Sequence, residues 1–217
     1  MSISVFIADD HAVVREGLKV MLETQPDLKV VGTAVNGREA VEHVARLLPD
    51  VAILDIAMPE LNGIEAARLI RTSSPTTRTL ILSMHSTSEH ICQALRAGAT
   101  GYLLKESAVN EIVDAVHSVH LGRRYLSQKI QDTIFDDYIL HGTISGQESP
   151  IERLSGRERE VLQLVVEGRT SVEIAKSLNL SAKTVETYRS RIMEKLEVHD
   201  LTGLIKFAIR HGLTNTD

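Results

Sequence analysis

Cysteine is nearly absent from this chain: Cys92 stands alone among 217 residues. An intrachain disulfide framework and a thiolate metal cluster are thereby excluded. Long apolar runs are missing too, so no segment approaches the length of a membrane span. The first residues enter an alternating strand with no basic and apolar leader ahead of them. These absences point to a reduced, cytosolic protein with no membrane partner. There is also no basic tail, no internal repeat and no strong net charge. The formal balance is −5 at pH 7, with 13 Lys+Arg against 19 Asp+Glu in residues 1–150 and 11 against 10 in residues 151–217. The second stretch can approach nucleic acid without strong repulsion, although its charge alone does not establish that it does so. The length suits two modest domains or one large one.

What is present is an alternation of short apolar strands and amphipathic helices over the first 120 residues. Strands are expected at 3–8, 28–32, 51–54, 79–83 and 100–104, and helices at 12–24, 37–47, 64–73, 87–97 and 107–120. Five such units in order imply an α/β domain, a mostly parallel five-stranded sheet wound with helices on both faces. Segments 51–54 and 79–82 are almost continuously apolar and should be the central strands. In an open sheet of this kind, ligands bind beyond the C-terminal strand ends. Asp9 and Asp10 follow the first strand, Asp55 the third, Ser83 closes the fourth and Lys105 follows the fifth. Three gathered carboxylates suit a hard divalent cation such as Mg²⁺. A lysine and a hydroxyl suit phosphoryl oxygens.

Asp10 could instead cap the helix that begins near Ala12. Asp55 is harder to explain locally, since an uncompensated carboxylate at the end of a buried strand is costly and two more carboxylates nearby raise the cost. A cation shared by Asp9 or Asp10, Asp55 and the backbone carbonyl of Ala57 would relieve it. The constellation reads as a phosphoryl-accepting site with Asp55 as the nucleophile.

Residues 122–125 read as a turn, and 126–140 carries a helical period through Ile130, Ile134 and Phe135. Residues 141–151, with two glycines and a proline, read as a linker. Four short helices follow: one from the Ser155/Glu158 capping box to Gly168, one at 171–178, one at 182–196 and one at 201–211 closed by Gly212. The third places Val185, Tyr188, Ile192 and Leu196 on one side. Its other side carries Lys183, Glu186, Thr187, Ser190, Arg191 and Glu194, with Arg189 at the border. That division fits a helix lying in a DNA major groove, and it fits a solvated surface helix equally well.

The first 120 residues resemble a response-regulator receiver domain, through Asp9-Asp10, Asp55-Ile56-Ala57-Met58-Pro59, Asn62-Gly63, Ser83, Tyr102 and Lys105. The end of the chain resembles a LuxR-type DNA-binding domain, through Leu154-Ser155-Gly156-Arg157-Glu158-Arg159-Glu160-Val161-Leu162, Glu173-Ile174-Ala175, Leu180-Ser181, Lys183-Thr184-Val185-Glu186 and Lys195-Leu196. Both motif sets in this order resemble the NarL/FixJ class of response regulators. The resemblance implies a flavodoxin-like receiver at 1–121, a helical extension and linker at 122–151, and an all-α helix-turn-helix domain at 152–217.

It further implies that Asp55 takes a phosphoryl group from a sensor histidine kinase with Mg²⁺ bound, that Ser83 and Tyr102 switch in response, and that the phosphorylated chain binds double-stranded DNA as a homodimer. By position, Lys183 and Thr184 would meet phosphate, Glu186, Thr187 and Ser190 would face base edges, and Arg189 and Arg191 would help by phosphate contact. Glu186 could accept from cytosine N4 or orient a basic neighbour. Glu197 stands where the family often has glycine, so the turn that follows is expected to have different dihedrals. Two other classes remain: a regulator that ignores phosphate, and an enzyme that turns over phosphoesters through an aspartyl phosphate.

Overall fold

A computed structural model describes residues 2–141, 150–211 and 213. The chain divides into two units, Met1–Gly146 and Gln147–Asp217. The expected linker falls largely on residues 142–149, and the expected stop at Gly212 on residue 212, so both lie outside the described residues.

The first unit alternates β1 (Ile3–Ala8), α1 (Ala12–Glu23), β2 (Leu28–Ala34), α2 (Gly37–Leu47), β3 (Val51–Asp55), α3 (Gly63–Ser73), β4 (Arg78–Ser83), α4 (Ser88–Ala97), β5 (Gly101–Leu104) and α5 (Ala108–His120). The strands form one parallel sheet in the order β2-β1-β3-β4-β5-β6, which places β3 and β4 at its centre. The sixth strand, β6 (Tyr125–Leu126), corrects the expected count of five. It falls where a turn was expected, because two residues carry too short a period to register in sequence. Helix α6 (Gln128–His141) follows it.

Side chains alternate between the two faces along every strand. Phe6, Ala52, Leu54, Ile81 and Tyr102 pack in one core cluster with residues of α2, α3 and α4. Val5, Ile7, Val51, Ile53, Leu80, Leu82 and Leu103 pack in the other with residues of α1 and α5. All five residues of β3 are buried, and each large aliphatic there contributes roughly 1.5–3 kcal/mol. Helical spacing in the sequence puts Val13 of α1, Ala45 and Leu48 at the end of α2, and Phe135 of α6 on apolar stripes, yet all four are exposed. Leu48 leaves the apolar stripe because it caps α2 in the left-handed region, at φ 46. Ile130 of α6 is buried and Ile134 half-buried against the sheet core, and Lys129 pairs with Glu106 at 2.6 Å, so α6 packs on the first unit.

The second unit holds a 3-10 turn (Pro150–Arg153) and helices α7 (Gly156–Val166), α8 (Ser171–Leu178), α9 (Ala182–Leu196) and α10 (Leu201–Arg210) around its own core. Ser155 and Glu158 form the capping box read from sequence, and Thr170 with Glu173 forms a second. Ser181 caps α9 by accepting from the Thr184 amide. Glu197 ends α9 at φ 56, ψ 39, the left-handed conformation a glycine would adopt there. Here the glutamate itself takes the left-handed cap that glycine supplies most cheaply, and it bears the strain.

Candidate phosphoryl-acceptor site and recognition helix

The sheet register brings the site together. Ala8 pairs with Leu54, Asp55 with Leu82 and Ser83 with Leu104, so Asp9, Asp55, Ser83 and Lys105 emerge side by side at adjacent strand ends. Asp9, Asp55 and Ser83 are buried, while Asp10 is exposed. The Lys105 ammonium lies 2.8 Å from Asp9 Oδ2 and 2.9 Å from Asp55 Oδ2. Both oxygens meet it at ion-pair distance without completing hydrogen-bond geometry. Burial pushes the Asp55 carboxyl up to about 6; Lys105 opposes the rise and Asp9 adds to it. Burial also disfavours the Lys105 charge, but Asp55 and Asp9 outweigh it and hold the ammonium above its ordinary value.

The backbone around Asp55 depends on a close approach. A Cβ on Gly63, at the start of α3, would lie 2.0 Å from the Asp55 carbonyl oxygen, so only glycine lets the helix pack there. Asn62 caps α3 by accepting from the Glu65 amide at 2.9 Å. Beyond Asp9, the first carboxylate and not the second makes the local contact: Asp9 Oδ1 accepts from the His11 amide at 2.8 Å, and α1 has no side-chain cap. Asp10 as a helix cap is therefore corrected. Arg15 donates to the Asp9 carbonyl at 2.8 Å and steadies the loop from α1.

His11 is an unforeseen neighbour, its Nδ1 2.7 Å from Asp10 Oδ1. Asp9, Asp10, His11 and Asp55 can each bring one ligand atom within 4.8 Å of the others. Oxygen-rich, net negative and partly exposed, the cluster suits a hard divalent cation. No sequence signal marks His11, because its part depends on the backbone turn before α1.

Ser83 and Tyr102 are joined through His85. The His85 amide donates to Ser83 Oγ at 2.9 Å, and the Tyr102 hydroxyl donates to the His85 carbonyl at 2.8 Å. Tyr102 is fully buried, and burial drives its phenol well above the ordinary range. His85 also stacks on His90, centroids 4.7 Å apart.

In the second unit, Val185, Ile192 and Leu196 of α9 are buried and Tyr188 half-buried. Lys183, Glu186, Thr187, Ser190 and Arg191 are exposed, with Thr184 and Arg189 at the border. Glu186 accepts from the Ser171 hydroxyl and lies 3.7 Å from Arg189, which donates to Ser171 Oγ at 3.0 Å. Of the two roles open to Glu186, this arrangement favours orienting Arg189 and tying α9 to the start of α8. Thr187 and Ser190 donate back to the Lys183 and Glu186 carbonyls, leaving their oxygens as acceptors outward. Lys195 pairs with Glu158 at 2.7 Å and fixes α9 to α7.

A doubly wound sheet with a carboxylate-and-lysine pocket, followed by a helix-turn-helix unit, defines a class: receivers coupled to a DNA-binding output. Comparison with known proteins agrees. Residues 5–117 match the response regulator receiver domain, and residues 152–208 match the bacterial regulatory proteins of the luxR family. The chain is 37% identical over 213 residues to the transcriptional regulatory protein MctR of Rhizobium johnstonii, covering 98% of this chain and 96% of that protein. It is 37% identical over 215 residues to the response regulator UvrY of Escherichia coli, covering 99% and 97%. Among solved structures, the RcsB response regulator in complex with DNA is similar at TM-score 0.59 and 26% identity, over 95% of this chain and 98% of that one. The chain belongs to the response regulators with a luxR-family output domain. It is a DNA-binding transcriptional regulator of a two-component system, and among its described residues no helix is long and apolar enough to cross a membrane.

Proposed function

We propose that Asp55 accepts a phosphoryl group from a sensor histidine kinase, that Asp9, Asp10, Asp55 and the Ala57 carbonyl hold Mg²⁺, and that the phosphorylated chain binds duplex DNA as a homodimer through α9. The observation that carries the first part is the single ammonium of Lys105 shared between two buried carboxylates. When bound, Mg²⁺ would offset the three carboxylates and the phosphoryl oxygens of the donor.

The chain's own groups do the rest. Asp55 Oδ attacks phosphorus, forming a new P–O bond as the donor's bond to phosphorus breaks and the donor keeps the electron pair. Lys105 leaves the carboxylates for the phosphoryl oxygens, a charge-assisted contact that favours the product. Ser83 Oγ, accepting from the His85 amide at rest, has a hydroxyl proton to donate to the phosphoryl group. Its movement pulls on His85, whose carbonyl holds the Tyr102 hydroxyl. The packing of β5 against its helices is biased accordingly. This self-catalysed transfer and its hydrolysis are the only chemistry in this reading.

On the output side, Lys183 and Thr184 at the start of α9 meet backbone phosphate, together with Arg189 and Arg191. Thr187 and Ser190 face base edges, with Glu186 beside them. Residues 1–121 act as the receiver, 122–151 as helical extension and linker and 152–217 as the DNA-binding domain, and the regulator works in the cytoplasm, where kinase and DNA are both accessible. One small output unit makes few phosphate contacts, so pairing two on adjacent half-sites raises affinity.

The test measures duplex binding and oligomeric state at fixed salt, with and without Mg²⁺ plus a small phosphodonor, beside Asp55→Ala. Tightening or dimerisation that needs the donor and vanishes in the variant is expected. DNA binding indifferent to both would overturn phosphate control.

A further inference from the structure

At the edge of the receiver sheet opposite the acidic pocket, where β4 and β5 begin, lies a cavity of about 440 Å³. It is bounded by the C-terminal ends of α3 and α4 and by the turn after α5. Among the described residues three arginines line it, Arg71 from the last turn of α3, Arg78 at the start of β4 and Arg124 just before β6, and no carboxylate does. None of the three guanidinium groups has a hydrogen bond or ion pair with another described residue. The carboxylate of Asp50, whose carbonyl accepts from the Arg78 amide, is occupied by the Ser4 amide and hydroxyl at 2.8 and 2.6 Å.

Two ordinary explanations fall short. Helix C-termini favour nearby cations, but at about half an elementary charge each, three helix ends offset only about half of three positive charges. Composition does not supply the cluster either, because this part of the chain is the acidic one, with 13 Lys+Arg against 19 Asp+Glu in residues 1–150. Arg71 passes over the glycine that ends α4. Its stem lies where a Cβ on Gly98 would approach to 2.5 Å, and Gly98 takes φ 111.

We propose that this cleft binds a small molecule carrying two or more phosphate groups, such as a nucleoside diphosphate. Guanidinium forks match phosphate oxygens in bidentate pairs, and several unpaired forks around one void select for a multiply charged anion. The volume falls in the range of small-molecule pockets, about 300–1,000 Å³. Thr100 offers a hydroxyl to the polar end, and Leu95 an apolar wall for a base or sugar. Inorganic polyphosphate shares the anionic chemistry, so the test carries both.

The full chain is titrated calorimetrically with tripolyphosphate and with ADP, at fixed ionic strength and without divalent cation, so that the acidic pocket cannot contribute. Saturable binding of at least one probe is expected. Arg78→Gln and Arg124→Gln should each weaken it by about tenfold, the loss of one charge-assisted contact. Arg124→Lys should weaken it less, and Lys183→Ala/Arg191→Ala on the recognition helix should leave it unchanged. A preference for ADP identifies a nucleotide as the ligand, and a preference for tripolyphosphate identifies inorganic polyphosphate; both uphold an oligophosphate site. Absence of saturable binding, equal binding by the arginine variants, or loss in the Lys183/Arg191 variant instead would overturn it. Asp55 phosphorylation plays no part in this titration, so its failure would leave the acceptor proposal intact.

Discussion

Asp55 pays for its position at the end of a buried strand. Its folded-state value of about 6 lies above that of an unfolded carboxyl, so the cost is absent below the unfolded value and grows as pH rises through 6. Asp55→Asn should therefore stabilise the ion-free chain by about 1–3 kcal/mol at pH 8 and by almost nothing near pH 4, read from urea unfolding midpoints at both values. The same titration governs chemistry: phosphorylation by a small donor should slow as pH falls below 6, unless a divalent cation is present to hold Asp55 ionised. Glu197 offers a second residue-scale test. It bears a left-handed backbone without glycine, so Glu197→Gly should stabilise the output unit by about 1 kcal/mol, measured as a shift in its thermal midpoint. Asp9, Asp55, Ser83 and Lys105 were all legible in sequence, because each directly follows or closes an apolar strand. His11 and Arg15 were not, because their roles follow from a backbone turn and a side-chain path that carry no periodicity.

At the scale of elements, the site depends on how α3 meets β3. Gly63→Ala would drive a methyl into the Asp55 carbonyl, and we expect a loss of at least 2 kcal/mol with weakened divalent-cation binding, followed by unfolding and by metal titration. For α9, Arg191→Ala should lower the slope of log K against log salt by about one while leaving sequence preference unchanged, as a phosphate contact requires. The long elements were plain in the sequence, their ends within a residue or two, because each holds several turns of one period. The strand β6 was missed because two residues hold none. Phe135 and Val13 were misplaced because apolar residues at helical spacing mark a stripe without saying how wide the covering surface is. Phe135 lies next to Ile134, yet only the latter faces the sheet.

Taken whole, the chain holds cores that share no residue, one pair lining the receiver sheet and one inside the helical unit. Scanning calorimetry should accordingly resolve two transitions, and Mg²⁺ should raise only the receiver's, since a ligand stabilises the unit that binds it. The parallel sheet has a further consequence. Every strand of the receiver points the same way, with the Asp9, Asp10 and Asp55 cluster beyond one edge and Arg71, Arg78 and Arg124 beyond the other. Arg78 and Ser83 are the first and last of the six residues of β4, roughly 17 Å apart at the strand rise. These two clusters set opposite charge at the two ends of the central strands. At low ionic strength an approaching charged partner would be turned to face the correct end before contact. Near 0.1 M salt, where the Debye length is about 10 Å, that alignment would fade, and encounters would lose their handed approach while the site itself stayed unchanged.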